Sequence, residues 1–70
     1  MNEIALCSSV LAGFQYDLEQ QQLCLRFRNG EWYIYETVPP GVIQCLIDAP
    51  SHGKYFNSAI RGRFPCRRLS

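Results

Sequence analysis

Seventy residues, 47% hydrophobic and 13% aromatic, describe one small folded domain rather than a disordered tail. A chain this short buries only about 60% of the surface its unfolded form exposes, which leaves no room for a deep substrate cavity or for a catalytic domain plus a regulatory one. The formal charge of +1 conceals an asymmetry: the six acids (Glu3, Asp17, Glu19, Glu31, Glu36, Asp48) share their part of the chain with only Arg26 and Arg28, whereas Lys54, Arg61, Arg63, Arg67 and Arg68 follow with no acid among them.

In chain order, residues 1–7 read as a leader. Glu3 stands where a signal sequence would carry a basic residue, and the apolar run Ile4 to Cys7 is too short to target or anchor the chain. No stretch approaches the roughly 18 apolar residues of a membrane span, so a soluble, cytoplasmic protein is expected. Val10 to Tyr16 is apolar and predicts a first strand, with Gly13 marking a bulge or a close backbone approach. Asp17 opens a polar turn in which its carboxylate can bond the backbone ahead. Gln22 to Arg28 alternates with period two, placing Leu23, Leu25 and Phe27 on one face. Asn29-Gly30 then predicts a tight type I′ hairpin into a third strand, Glu31 to Val38.

Val38-Pro39-Pro40 ends the sheet, since the residue before a proline is driven to extended geometry and proline suits a first helical turn. Val42, Ile43, Leu46 and Ile47 recur as one helical face, predicting an amphipathic helix from Pro40 to about Ala49, stopped by Pro50. Ser51 is an N-cap candidate for a second helix. In that helix Phe56, Ala59 and Ile60 share an apolar face, and Lys54, Asn57, Ser58 and Arg61 a polar one. Gly62 is its left-handed stop. Residues 63–70 leave as an extended basic tail that Phe64 and Leu69 could anchor. The expected fold is α+β: a three-stranded antiparallel β-meander covered by two short C-terminal helices, one domain over residues 1–70.

Cys7, Cys24, Cys45 and Cys66 stand singly, without a C-x-x-C pair, and His52 has no histidine partner. Free thiols are expected, with no metal and no cofactor. Cys45, Asp48 and His52 could be imagined as nucleophile, orienter and base, but Pro50 breaks the helical spacing that would align them. No catalytic residues are assigned and no enzymatic activity is expected.

Several motifs in combination resemble the KTSC domain: Tyr33-Ile34-Tyr35 in the last strand, Val38-Pro39 at the helix start, Ser-x-Gly-Lys-Tyr-Phe-Asn from Ser51 to Asn57, and Ile60-Arg61-Gly62. The resemblance covers about residues 8 to 69. That family occurs alone in small bacterial and phage proteins and at the C-terminus of some lysyl-tRNA synthetases, and the second context implies RNA binding. This chain departs from the pattern at His52, Ile34 and Cys66.

Two surfaces are therefore expected to carry function. Lys54, Asn57, Arg61, Arg63, Arg67 and Arg68 offer phosphate-binding groups, and Tyr33 and Tyr35 offer either a base-stacking platform or core packing. The leading expectation is a non-catalytic module that binds RNA or another nucleic acid. On that reading Arg67→Ala with Arg68→Ala lowers the salt dependence of binding. The alternative is a protein-interaction or homodimerisation module using an exposed Trp32/Ile34 patch on the sheet.

Overall fold

The computed structural model of the chain describes residues 3–6 and 8–69. Five strands, β1 (Ile4–Ala5), β2 (Leu11–Asp17), β3 (Gln22–Phe27), β4 (Trp32–Tyr35) and β5 (Cys66–Arg68), form one antiparallel sheet in the order β1-β2-β3-β4-β5. The expected meander is β2 to β4, and the three-strand expectation is corrected at both edges. Part of the leader becomes β1, pairing Ile4 with Phe14 and Ala5 with Gly13. Part of the basic tail becomes β5, with Cys66 opposite Tyr35, Arg67 opposite Ile34 and Arg68 opposite Tyr33. Both edge strands satisfy backbone groups that the meander would otherwise leave bare. The pairing of β5 continues through Glu36 N–H to the Pro65 carbonyl and Leu69 N–H to the Trp32 carbonyl, each at 2.8 Å.

The β3–β4 hairpin is also tighter in register and longer in loop than Asn29-Gly30 alone suggests. Phe27 N–H bonds the Glu31 carbonyl and Gly30 N–H the Phe27 carbonyl, both at 2.9 Å, so the loop is Arg28-Asn29-Gly30. Only Gly30 is left-handed (φ 91°), the geometry of a three-residue turn rather than of type I′. Strand β4 stops at Tyr35, short of Val38, because Thr37 turns left-handed (φ 58°). Gly13 fulfils both sequence expectations: the β2–β3 register shifts between Leu11 and Gly13, and a Cβ at 13 would stand 2.6 Å from Glu3 Oε2 and 2.9 Å from the Ile4 carbonyl oxygen. The Asp17 carboxylate accepts from Gln20 N–H at 3.1 Å, as the turn chemistry predicts.

Helix α1 (Pro40–Asp48) begins with proline in its first turn and buries Ile43 and Leu46. Tyr16 fixes its approach by donating its hydroxyl to the Val38 carbonyl at 2.6 Å. Helix α2 (His52–Tyr55) is capped by Ser51, whose hydroxyl accepts from Lys54 N–H at 3.3 Å. Instead of continuing as one α-helix, the chain then widens into a π-helical turn, Phe56–Ile60, closed by Arg61 N–H to the Phe56 carbonyl at 2.9 Å. That turn buries Phe56 and Ile60 together and releases Arg61 into extended geometry (φ −61°, ψ 123°). Gly62 follows left-handed at φ 74°, as expected.

The helices cover one sheet face. Phe14, Leu23, Leu25 and Tyr35 from the sheet join Ile43, Leu46, Phe56 and Ile60 in a single cluster. Burying each such side chain fully contributes about 1.5–3 kcal/mol, so this layer is what makes the sheet stable. The alternation of the strands sends Cys24, Arg26, Trp32, Ile34 and Arg67 to the other face.

Candidate functional site

Beside the π-helical turn, where β4 meets β5, the surface opens into a groove of about 550 Å³. Its floor is aromatic. Phe27 comes from the end of β3, Tyr33 and Tyr35 from alternate positions of β4, Phe56 from the start of the π turn, and Phe64 from the approach to β5. Phe27 meets Tyr33 at 5.4 Å and Phe56 at 5.5 Å between ring centroids, and Tyr35 meets Phe56 at 5.8 Å. The interplanar angles of 76°, 77° and 81° are the edge-to-face arrangement that ring quadrupoles favour. Around this floor stand Glu31, Asn57, Arg61 and Cys66.

The rim is polarised. Glu31 is held on two sides: its Oε1 accepts from Asn29 Nδ2 at 2.9 Å, and its Oε2 pairs with Arg68 Nη2 at 2.7 Å. Asn29 Oδ1 in turn accepts from Glu31 N–H at 3.0 Å, tying the carboxylate to the hairpin loop. Tyr35 is 5% exposed, and burial first, then the charge and hydrogen bond of the Cys66 thiol and the neighbouring Tyr33, push its hydroxyl up to about 12. The Arg61 guanidinium opposes that shift, which places a cation within electrostatic reach of the floor. Lys54, Arg61 and Arg63 make no ion pair among the described residues.

The structure brings some of the sequence-predicted residues together and separates others. Tyr33, Tyr35, Asn57 and Arg61 share the groove. Lys54 lies in an adjoining cleft of about 370 Å³ with Ser8, Ser51 and His52, and Asn57 borders both depressions. The π turn removes Arg61 from the helical face it was expected to share with Lys54. Arg63 is exposed and lines neither depression. Arg67 and Arg68, adjacent in a strand, point to opposite faces: Arg68 reaches Glu31, while Arg67 stands 3.8 Å from Glu36. Tyr33 is half-buried and Tyr35 belongs to the core, so the two do not make an open platform; Tyr33 alone offers an accessible ring.

The Trp32/Ile34 patch is corrected. Ile34 is only 9% exposed, and Trp32 is half-buried with the Arg26 guanidinium 6.0 Å from its ring centroid. Arg26 is itself ion-paired to Glu3 across β1 and β2, so charge covers this face. The residues that sequence reasoning missed are Phe27, Glu31, Phe56, Phe64 and Cys66. The hairpin signal at Asn29-Gly30 could have placed Glu31 beside Phe27, but nothing local joins either to Phe64.

Cys24, Cys45 and Cys66 are free thiols, and Cys7 lies outside the described residues. Cys45 lies near enough to Tyr55 to help burial push the tyrosine hydroxyl up, and Asp48 accepts from Gln44 at 3.0 Å. Among the described residues no group of three or more His, Cys, Asp or Glu could hold a metal ion, and no helix is long and apolar enough to cross a membrane.

A family model described as the KTSC domain matches residues 7–64. An uncharacterized protein of Stutzerimonas stutzeri is 46% identical over 61 residues, which are 87% of this chain and 86% of that protein. A lysine–tRNA ligase of Nostoc punctiforme is 42% identical over 62 residues, 89% of this chain but 11% of the ligase. A crystal structure of a KTSC domain protein from Yersinia pestis superposes with a TM-score of 0.94 at 30% identity, covering 99% of this chain and 97% of that one.

Proposed function

The chain belongs to the KTSC domain family, and on that premise we propose that it is a non-catalytic module that binds unpaired RNA across the aromatic groove. The observation that carries this reading is the aromatic groove itself, rimmed by an Arg61 that makes no ion pair among the described residues. The accessible part of a half-buried ring such as Tyr33 stacks on any unpaired base, a contact of about 1–3 kcal/mol. A guanidinium beside it engages phosphate oxygens with two bonds at once. Lys54 in the adjoining cleft, with Asn57 bordering both depressions, continues the track, and Arg63 adds a peripheral positive charge.

Lysine–tRNA ligases named for a tRNA substrate contain a matching segment, which makes RNA the favoured nucleic acid. The three free thiols described suit a reducing compartment, the cytoplasm. The alternative of a partner or second copy on the Trp32/Ile34 face has less support, because Ile34 is buried and Trp32 is covered by Arg26.

Fluorescence anisotropy of a labelled single-stranded RNA across a salt series tests the proposal. Affinity falls with salt, and Arg61→Ala reduces the logarithmic slope by about 0.7, the share of one phosphate contact on a single strand. Binding indifferent to salt and to Arg61→Ala, or no binding at low salt, overturns it.

A further inference from the structure

We propose that the groove is selective, accepting one unstacked guanine from the bound strand in preference to the other three bases. This rests on the RNA-binding reading and adds a base specificity to it.

The argument is one of matching edges. The groove carries a guanidinium, Arg61, and a carboxylate, Glu31, around a shared aromatic floor. A guanidinium carries five N–H donors, so one edge of its fork takes a base while another N–H keeps the phosphate contact, and a carboxylate presents only acceptors. Guanine alone answers both: O6 and N7 accept as a pair from an arginine, and N1–H and N2–H₂ donate as a pair to a carboxylate. Adenine and cytosine each bring a single amino group, and their neighbouring ring nitrogens turn lone pairs toward the carboxylate. Uracil brings one N–H flanked by two carbonyl oxygens, which a carboxylate repels.

Glu31 is placed for this before any ligand arrives. Asn29 and Arg68 each take one of its oxygens, at 2.9 Å and 2.7 Å, which fixes the carboxylate plane while each oxygen keeps a further lone pair. The Arg68 pairing also offsets the negative charge of Glu31, which lessens its repulsion of a phosphate backbone. Without a ligand that brings donors, an acid in the wall of an anion-binding groove only weakens the site. The Asn57 amide, at the border with the Lys54 cleft, can bond either edge of the base or the sugar beyond it.

The experiment compares an oligouridine with the same strand carrying one central guanosine, adenosine or cytidine, on the unmodified chain, with free GMP titrated separately by calorimetry. The guanosine strand binds at least about 5-fold tighter than the other three, the lower end of what one good bidentate pair discriminates. Glu31→Gln, which replaces one acceptor by a donor, brings the guanosine strand down to the affinity of the oligouridine measured with that same variant. Equal affinity for all four strands overturns the guanine inference and leaves RNA binding standing. Binding of GMP in the calorimeter with no strand bound overturns the RNA reading and leaves a guanine nucleotide as the ligand of the groove. Absence of both kinds of binding overturns the two together.

Discussion

Tyr35 and Cys66 stand directly opposite across the β4–β5 pairing, with the thiol close enough to act on the buried tyrosine hydroxyl. Burial above all, with the Cys66 thiol next, pushes the Tyr35 hydroxyl up to about 12 in the folded chain, against 10.0 for an ordinary tyrosine. Between those values the unfolded chain has already lost the proton that the folded chain retains. Stability is thus unaffected below pH 10 and falls as pH rises through the window, by roughly 1 kcal/mol per pH unit. Tyr16 and Tyr55 shift in the same direction and add to the slope. Denaturant midpoints measured across this range check it, and Tyr35→Phe flattens the decline; a midpoint that does not move contradicts the assignment.

Gly13→Ala tests the packing of the first edge strand. A methyl group at 13 meets the Ile4 carbonyl oxygen at 2.9 Å, and that oxygen belongs to backbone that cannot swing away. Strand β1 must shift or detach, at a cost of about 1–3 kcal/mol in a urea titration. A variant as stable as the parent shows that β1 contributes nothing to the domain.

Leu46 and Ile47 are neighbours on α1 with opposite fates: Leu46 is fully buried and Ile47 is 42% exposed. Leu46→Ala costs about 2–5 kcal/mol, enough to unfold much of so small a domain at room temperature. Ile47→Ala stays within about 0.5 kcal/mol. Circular dichroism melts of the two variants should separate clearly, and equal midpoints would mean that α1 does not dock through Leu46.

The two arginines of β5 should differ although they are adjacent. Arg67 lies on the face away from the groove beside Glu36, so Arg67→Ala leaves RNA affinity and its salt slope nearly unchanged. Arg68→Ala frees the Glu31 carboxylate from its cation and weakens RNA binding several-fold, about 1 kcal/mol, by returning a net negative charge to the groove wall. Equal effects of the two substitutions in anisotropy titrations would argue that the tail acts as an undirected positive charge.

What the sequence reveals and what it conceals divides by the range of the interactions. Leu23, Leu25 and Phe27 declare β3 because one strand's alternation is local, and Pro40 and Ser51 declare the helix starts because caps are local. Strands β1 and β5 are two and three residues long, too short for any period, and exist because β2 and β4 offer them unpaired edges. The π turn at Phe56–Ile60 likewise has no local signature; its effect is to bury both ends of a five-residue segment. The groove is assembled from β3, β4, the π turn and the chain before β5. Its basic and tyrosine residues are therefore visible singly, with core packing already one reading of Tyr35, whereas the pairing of Arg68 with Glu31 is not.

Because the five strands follow one another across the sheet in chain order, Ile4 and Cys66 occupy opposite borders, four strand spacings or about 19 Å apart. A neighbouring domain joined ahead of β1 would emerge at the far border from the groove. One joined after β5 would emerge beyond Leu69, whose N–H bonds the Trp32 carbonyl next to Glu31, a wall of the groove itself. The direction of fusion thus decides whether a covalent neighbour can share a ligand with this domain or must work apart from it.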